Sequence, residues 1–149
     1  RPFASLLLIT PRKTMSLLRT LMDRPPTSSK ASRYTAMNGV IYMVSGTSML
    51  LMPDVVRSIF MEPGFTGREE GLVRLVGMML VIVGWFYFFG GRSGTKQIVA
   101  ASILDRVILV PAVLVPLGLL GVFPSLIFSF AVLDPLLAIG AWFLLQEQD

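Results

Sequence analysis

Three ionisable residues stand where the sequence is otherwise apolar: Asp105, Arg106 and Asp134. An ionised side chain deep in a bilayer costs at least ~2.5–3.5 kcal/mol on insertion scales, so each needs a partner or a task. Two kinds of task fit these residue types. Asp105 and Asp134 are the carboxylates a small proton-coupled carrier would use to relay protons or bind substrate. Alternatively, the charges fix helix packing and dock a partner subunit. A relay needs a chain of titratable groups, and the sequence contains no His to extend one. Asp105 and Arg106 are adjacent, hence about 100° apart around a helix, and do not face each other. Counted from the helix ends, Arg106 lies about 12 Å deep and Asp134 about 16 Å deep on antiparallel neighbours. A cross-helix Arg106–Asp134 bridge is therefore expected. Pro135 frees the Ala131 carbonyl and is expected to kink its helix. Ala131, Asp134, Ala138 and Ala141 form a stripe on which helices can approach closely. Glu70 and Arg74 are spaced for a local i, i+4 ion pair.

The missing residue types exclude as much as the present ones suggest. Without Cys or His there is no disulfide, thiolate nucleophile, iron–sulfur ligation, Cys/His zinc site or His-ligated haem. The remaining nucleophiles are Ser, Thr and Tyr, with no imidazole to activate them. A non-catalytic protein without metal or cofactor is the expectation.

The elements that must carry these residues follow from composition. Of the 149 residues, 54% are hydrophobic and 15% charged. Soluble domains have about 45–50% apolar and about 25% charged residues. The mean hydropathy of +0.72 agrees. The expected fold is all-α, an integral membrane four-helix bundle with a basic N-terminal arm. Spans are expected at about 34–52, 71–91, 98–117 and 125–145. The last two come from one long apolar segment: residues 107–133 carry no charge, and one helix over the whole segment would greatly exceed the ~30 Å bilayer core. Gly118, Gly121 and Pro124 mark where it folds back. Pro53-Asp54 stops the first span, and Val55, Val56, Ile59 and Phe60 could form an interfacial turn. Gly39, Gly46, Gly77 and Gly84 read as packing positions.

Residues 1–33 form the arm and 34–149 the membrane domain. The arm carries seven basic residues and one acidic, a net +6, which accounts for the basic pI of about 10.0. Its Arg, Ser, Thr and Pro content resembles an organelle transit peptide. The chain begins with Arg1 rather than Met, so an upstream piece is expected to be removed or absent. Thr14–Asp23 has the spacing of a short amphipathic helix lying on a membrane surface. With no recognition motif beside the charge, nucleic acid is not the expected partner.

The excess of Lys and Arg puts both termini on the inner side, with Tyr34, Trp85–Tyr87 and Trp142 as an aromatic belt there. The organelle expected is the mitochondrion, with the termini in the matrix; a thylakoid or bacterial inner membrane is the alternative. Lys30, Arg33, Arg92 and Lys96, beside Trp85 and Trp142, are candidate contacts for anionic phospholipid, the one bound group anticipated.

Asn38-Gly39, Tyr42, Gly46 and Pro53, followed by Glu70-Gly71-Leu72-Val73-Arg74 and Gly77, give residues 37–145 a pattern that resembles small DoxX-like membrane proteins. The resemblance implies a four-helix membrane bundle and carries over no site residue. The leading functional expectation is an accessory subunit of a large inner-membrane complex, most plainly of the mitochondrial respiratory chain. It would act in assembly through other subunits and membrane lipids. The small carrier and a thylakoid photosystem subunit are the alternatives.

Overall fold

The computed structural model describes Met22 and residues 28–147, and among these it is helical with no strand. The basic arm up to residue 27, apart from Met22, lies outside the described residues, as does most of the expected amphipathic helix at Thr14–Asp23. Helix α1 is Lys30–Leu51 and α2 is Pro53–Ile59. Helix α3 is Glu69–Arg92, α4 runs over Lys96–Leu119, and α5 is Pro124–Gln146.

Helices α3, α4 and α5 are each long and apolar enough to cross a membrane. Helix α1 meets that standard only together with α2, from which it bends by 111°. The reason is visible in its sequence. Ser32, Thr35, Asn38, Gly39 and Gly46 lower its apolarity, and all five are buried against neighbouring helices. A helix enclosed by protein need not be greasy. It begins at Lys30, inside the segment expected to be arm, because the Ser29 hydroxyl accepts the Ser32 N–H at 3.1 Å and caps it. Pro53 then forces the bend: it cannot donate to the preceding turn, and it starts the short α2 instead.

Helices α1 and α3 form the tightest pair. They run antiparallel, with Gly39 opposite Gly84, Gly46 opposite Gly77, and Gly91 opposite Ser32 and Ala36. A Cβ built on Gly84 would stand 2.6 Å from the Gly39 carbonyl oxygen, and one on Gly77 2.6 Å from that of Gly46. The backbones themselves are in contact, which only glycine permits. The seven-residue spacing keeps that seam aligned along both helices.

The two ends of the helical unit differ. At the basic end, Lys30 Nζ lies 3.5 Å from Glu147 Oε2, so α1 starts where α5 finishes. At the opposite, loop end, α2 and the segment after it fold over the helices. Met49, Val56, Val73 and Leu126 form an apolar plug there, with Phe60, Phe65, Phe123 and Phe130 packed against it. Glu62, which is buried, holds this lid down: its Oε1 accepts the Leu126 N–H at 2.9 Å in the first turn of α5. A carboxylate at a helix N-terminus satisfies an orphan N–H and complements the helix dipole.

Helix α4 carries the main irregularity. Residues Asp105–Leu109 form a π-helical turn, in which the Val110 N–H reaches back five residues to the Asp105 carbonyl. Pro111 explains the slip, since it offers no N–H to the Val107 carbonyl and its ring crowds that position. Helix α5, by contrast, remains continuous through Pro135.

Candidate functional site

The π turn sits at the level of the buried charges, and it sends Asp105 and Arg106 in different directions. Arg106 goes into the protein and is 1% exposed. Its guanidinium carbon lies 4.4 Å from the Tyr87 ring centre and 5.1 Å from that of Tyr42. The two rings meet edge to face with centres 5.5 Å apart. A cation between aromatic faces in a dry setting gains about 2 kcal/mol or more from such contacts. None of its three nitrogens has a hydrogen-bond partner among the described residues.

The carboxylates take the phenols instead of the guanidinium. The Tyr87 hydroxyl donates to Asp105 Oδ2 at 2.6 Å, and the Tyr42 hydroxyl donates to Asp134 Oδ1. Arg106 and Asp134 therefore do not form the ion pair that their depths suggested. The physical reason is that Tyr42 stands between them, its hydroxyl on Asp134 and its ring against the guanidinium, while the Tyr87 ring takes up another side of Arg106. Asp134 stays buried beside Ala131, Ala138 and Ala141 on the close-packed stripe of α5. Glu70 and Arg74 do pair, at 2.7 Å, and Arg74 Nη1 also donates to the Leu50 carbonyl at 2.6 Å.

Tyr42, Asp105 and Asp134 floor a cavity of about 550 Å³. That is within the ~300–1,000 Å³ range of pockets that take small molecules. Its walls are apolar and come from α1, α3, α4 and α5, among them Met49, Leu80, Val83, Leu114 and Phe130. The plug at the loop end closes one end. Toward the side it is open, because α3 packs against the beginning of α4 and not against its outer half. Val76 and Met79 on α3, and Leu109 and Val113 on α4, are exposed wall residues flanking that gap. Arg106 is not part of the lining.

Beyond the floor, toward the basic end, the polar character continues. Thr35, Asn38 and Tyr42 share one face of α1, and Ser102 precedes Arg106 by one turn of α4. Thr35 and Asn38 are fully buried, and their side-chain polar atoms have no hydrogen-bond partner among the described residues.

The candidate lipid-contact residues are spread around the basic end rather than gathered in a pocket. Lys30 pairs with Glu147, and Arg33 is exposed. Arg92 lies over the Phe88 and Phe89 rings, at 5.3 and 5.8 Å. Lys96 is exposed at the start of α4. Trp85 and Trp142 are exposed on α3 and α5. Tyr87, expected in an aromatic belt, instead faces inward and holds Asp105. Among the described residues no three His, Cys, Asp or Glu side chains gather as a ligand set for a metal ion.

Two participants escaped the reading of charges along the sequence. Tyr42 carried a signal only through its spacing from Asn38, and Tyr87 was hidden among the aromatics of α3. The cavity has no linear signature at all. Comparison with protein-family models, curated proteins and solved structures finds no match, so the DoxX-like pattern rests on its short motifs alone.

Proposed function

We propose that this chain is a four-span integral membrane protein that receives a lipophilic small molecule in its intramembrane cavity. The polar end of that molecule would meet Asp105, Asp134 and Tyr42. The observation that carries this reading is the pair of carboxylates, drawn from two helices, at the floor of one apolar cavity open to the side. An intramembrane carboxylate is costly, and two of them at the foot of a greasy cavity are best accounted for by a bound group. The lateral opening supports entry from the bilayer rather than from water. The reading shares Asp105 and Asp134 with the small proton-coupled carrier considered from the sequence. It is a binding function and not a catalytic one, since the sequence offers no imidazole or thiol to act on what is bound.

The test is retention. Native mass spectrometry of the protein released from nanodiscs is expected to reveal a bound lipophile lighter than a phospholipid. Leu114→Trp, which fills the cavity, is expected to lose it. Only phospholipid adducts, equal in the wild type and the variant, would refute the reading.

A second reading keeps the accessory subunit of a mitochondrial inner-membrane complex, bound to neighbouring subunits and anionic lipid. Its support is the net +6 of residues 1–33. Under it, the protein migrates with a much larger band on a native gel, and deletion of residues 1–27 releases it.

A further inference from the structure

Helix α2 is seven residues long and has three different edges. Pro53 and Val56 are buried, and Val56 with Phe60 packs into the plug at the loop end. Asp54 and Ser58, one turn apart, form an exposed polar edge. Val55 and Ile59, also one turn apart, form an apolar edge and are 51% and 68% exposed; Met61 follows at 87%. The interfacial turn expected from the sequence grouped Val55, Val56, Ile59 and Phe60 together. The structure divides them: Val56 and Phe60 meet protein, and Val55 and Ile59 face away from it. The division is held in place. Arg57 Nη1 donates to the Glu62 carbonyl at 3.1 Å, and the Glu62 carboxylate caps α5. Rolling α2 to bury Val55 and Ile59 would break this linkage and pull Val56 from the plug.

The level of α2 in the molecule identifies what meets its apolar edge. Helix α1 has 22 residues, and at 1.5 Å per residue its length matches the ~30 Å hydrocarbon core. With Lys30 at the basic surface, Pro53 stands at the opposite one. The half-exposed Glu70–Arg74 pair marks the same level, since Arg74 Nη1 donates to the Leu50 carbonyl at 2.6 Å. A helix bent by 111° from one that crosses the core lies close to the membrane plane. Exposed Leu51 and Met52, at the end of α1, join the apolar edge to the outer surface of the spanning helices. An apolar edge beside a polar one, at the depth where hydrocarbon ends, suits a helix lying in the interface.

We propose that α2 is seated in the interfacial zone of the bilayer on the loop side. Val55, Ile59 and Met61 lie among the upper acyl carbons, and Asp54 and Ser58 in the head-group layer. This rests on the reading of the chain as membrane-spanning. The closed end of the cavity is then fastened on one side to α5, through Glu62, and on the other to lipid.

The test uses single cysteines in the full chain, which has no native Cys. Val55→Cys, Ile59→Cys and Ser58→Cys are each spin-labelled and reconstituted in phosphatidylcholine nanodiscs. Power saturation compares relaxation by molecular oxygen, which concentrates in hydrocarbon, with relaxation by nickel ethylenediaminediacetate, which stays in water. Phe86→Cys, on the exposed face of α3, is the lipid reference, and Thr66→Cys the water reference. The oxygen-to-nickel ratio at positions 55 and 59 is expected to be severalfold above that at position 58 and to approach that at position 86. Positions 55 and 59 read the same edge, so loss of one variant leaves the test intact. Ratios at 55 and 59 equal to those at 58 and 66 overturn the seating in favour of a solvated helix. Weak relaxation by both reagents overturns it in favour of a protein cover. In either case a hydrocarbon-like ratio at position 86 leaves the spanning reading standing; a water-like ratio there overturns both.

Discussion

Replacing Arg106 with Leu tests the buried cluster as a unit. The guanidinium is 1% exposed and lies 4.4 Å and 5.1 Å from two tyrosine ring centres. Leucine keeps part of the volume but removes the only positive charge that the described residues place at the level of Asp105 and Asp134. Breaking a buried charge set from one side costs about 3–5 kcal/mol, and desolvated cation–π contacts contribute about 2 kcal/mol of what is lost. The two effects overlap, so Arg106→Leu is expected to lose about 3–5 kcal/mol in total. Arg106→Leu combined with Asp134→Asn restores the net charge of the wild-type cluster. It should therefore be more stable than the single variant, although it carries one more substitution. Arg92→Leu is the control, because Arg92 lies over Phe88 and Phe89 near the end of α3. The assay is reversible unfolding in mild detergent, followed by far-ultraviolet circular dichroism. If Arg106→Leu is no worse than Arg92→Leu, or if the double variant is simply the sum of its parts, the cluster does not work as described.

Gly84→Ala places a methyl group 2.6 Å from the Gly39 carbonyl oxygen, so α1 and α3 must separate; the expected loss is about 1–3 kcal/mol in the same unfolding assay, against no loss for Gly64→Ala, which meets nothing. Glu62→Ala removes the carboxylate that caps α5 through the Leu126 N–H; about 1–2 kcal/mol is expected to go, and hydrogen exchange should accelerate at the first turn of α5 and in residues 60–68 while the α1–α3 seam stays protected. Since the sequence has no native Cys, single cysteines at Ser28, Gln146 and Thr66 report topology cleanly: an impermeant maleimide is expected to reach Ser28 and Gln146 from one side of the vesicle and Thr66 from the other.

What could be read from the sequence depended on the range of the interaction. Periodic and local features were legible. The glycines of α1 and α3 recur every seventh residue, the Glu70–Arg74 spacing places two side chains on one helix face, and Gly121 with Pro124 marks the turn between α4 and α5. Features that depend on which helix stands beside which were not. Depth alone pointed Arg106 to Asp134, yet depth is blind to Tyr42 of α1, whose ring meets Arg106 and whose hydroxyl meets Asp134. Glu62 reads as one acid of an exposed loop, and its role as the cap of α5 arises from a contact across 64 positions. The π turn had a signal in Pro111, whose missing N–H leaves the Val107 carbonyl without its usual donor. That signal gives a disturbed helix and not the direction in which the disturbance turns Asp105. Helix α1 is the reverse case. Its polar residues lower its apolarity on its own, and their burial explains why they are tolerated.

The central claim is that a cavity within the helices, floored by Asp105 and Asp134, is reachable from the lipid phase. Photolabelling addresses it most directly. An alkyl diazirine is photolysed in nanodiscs holding the wild-type protein, and the adducts are mapped by peptide mass spectrometry. The account predicts adducts on inward-facing Met49, Leu80 and Phe130, lost in Leu114→Trp, which fills the cavity. Adducts confined to outward-facing residues such as Phe86, Val132 and Leu136, unchanged in Leu114→Trp, would contradict it.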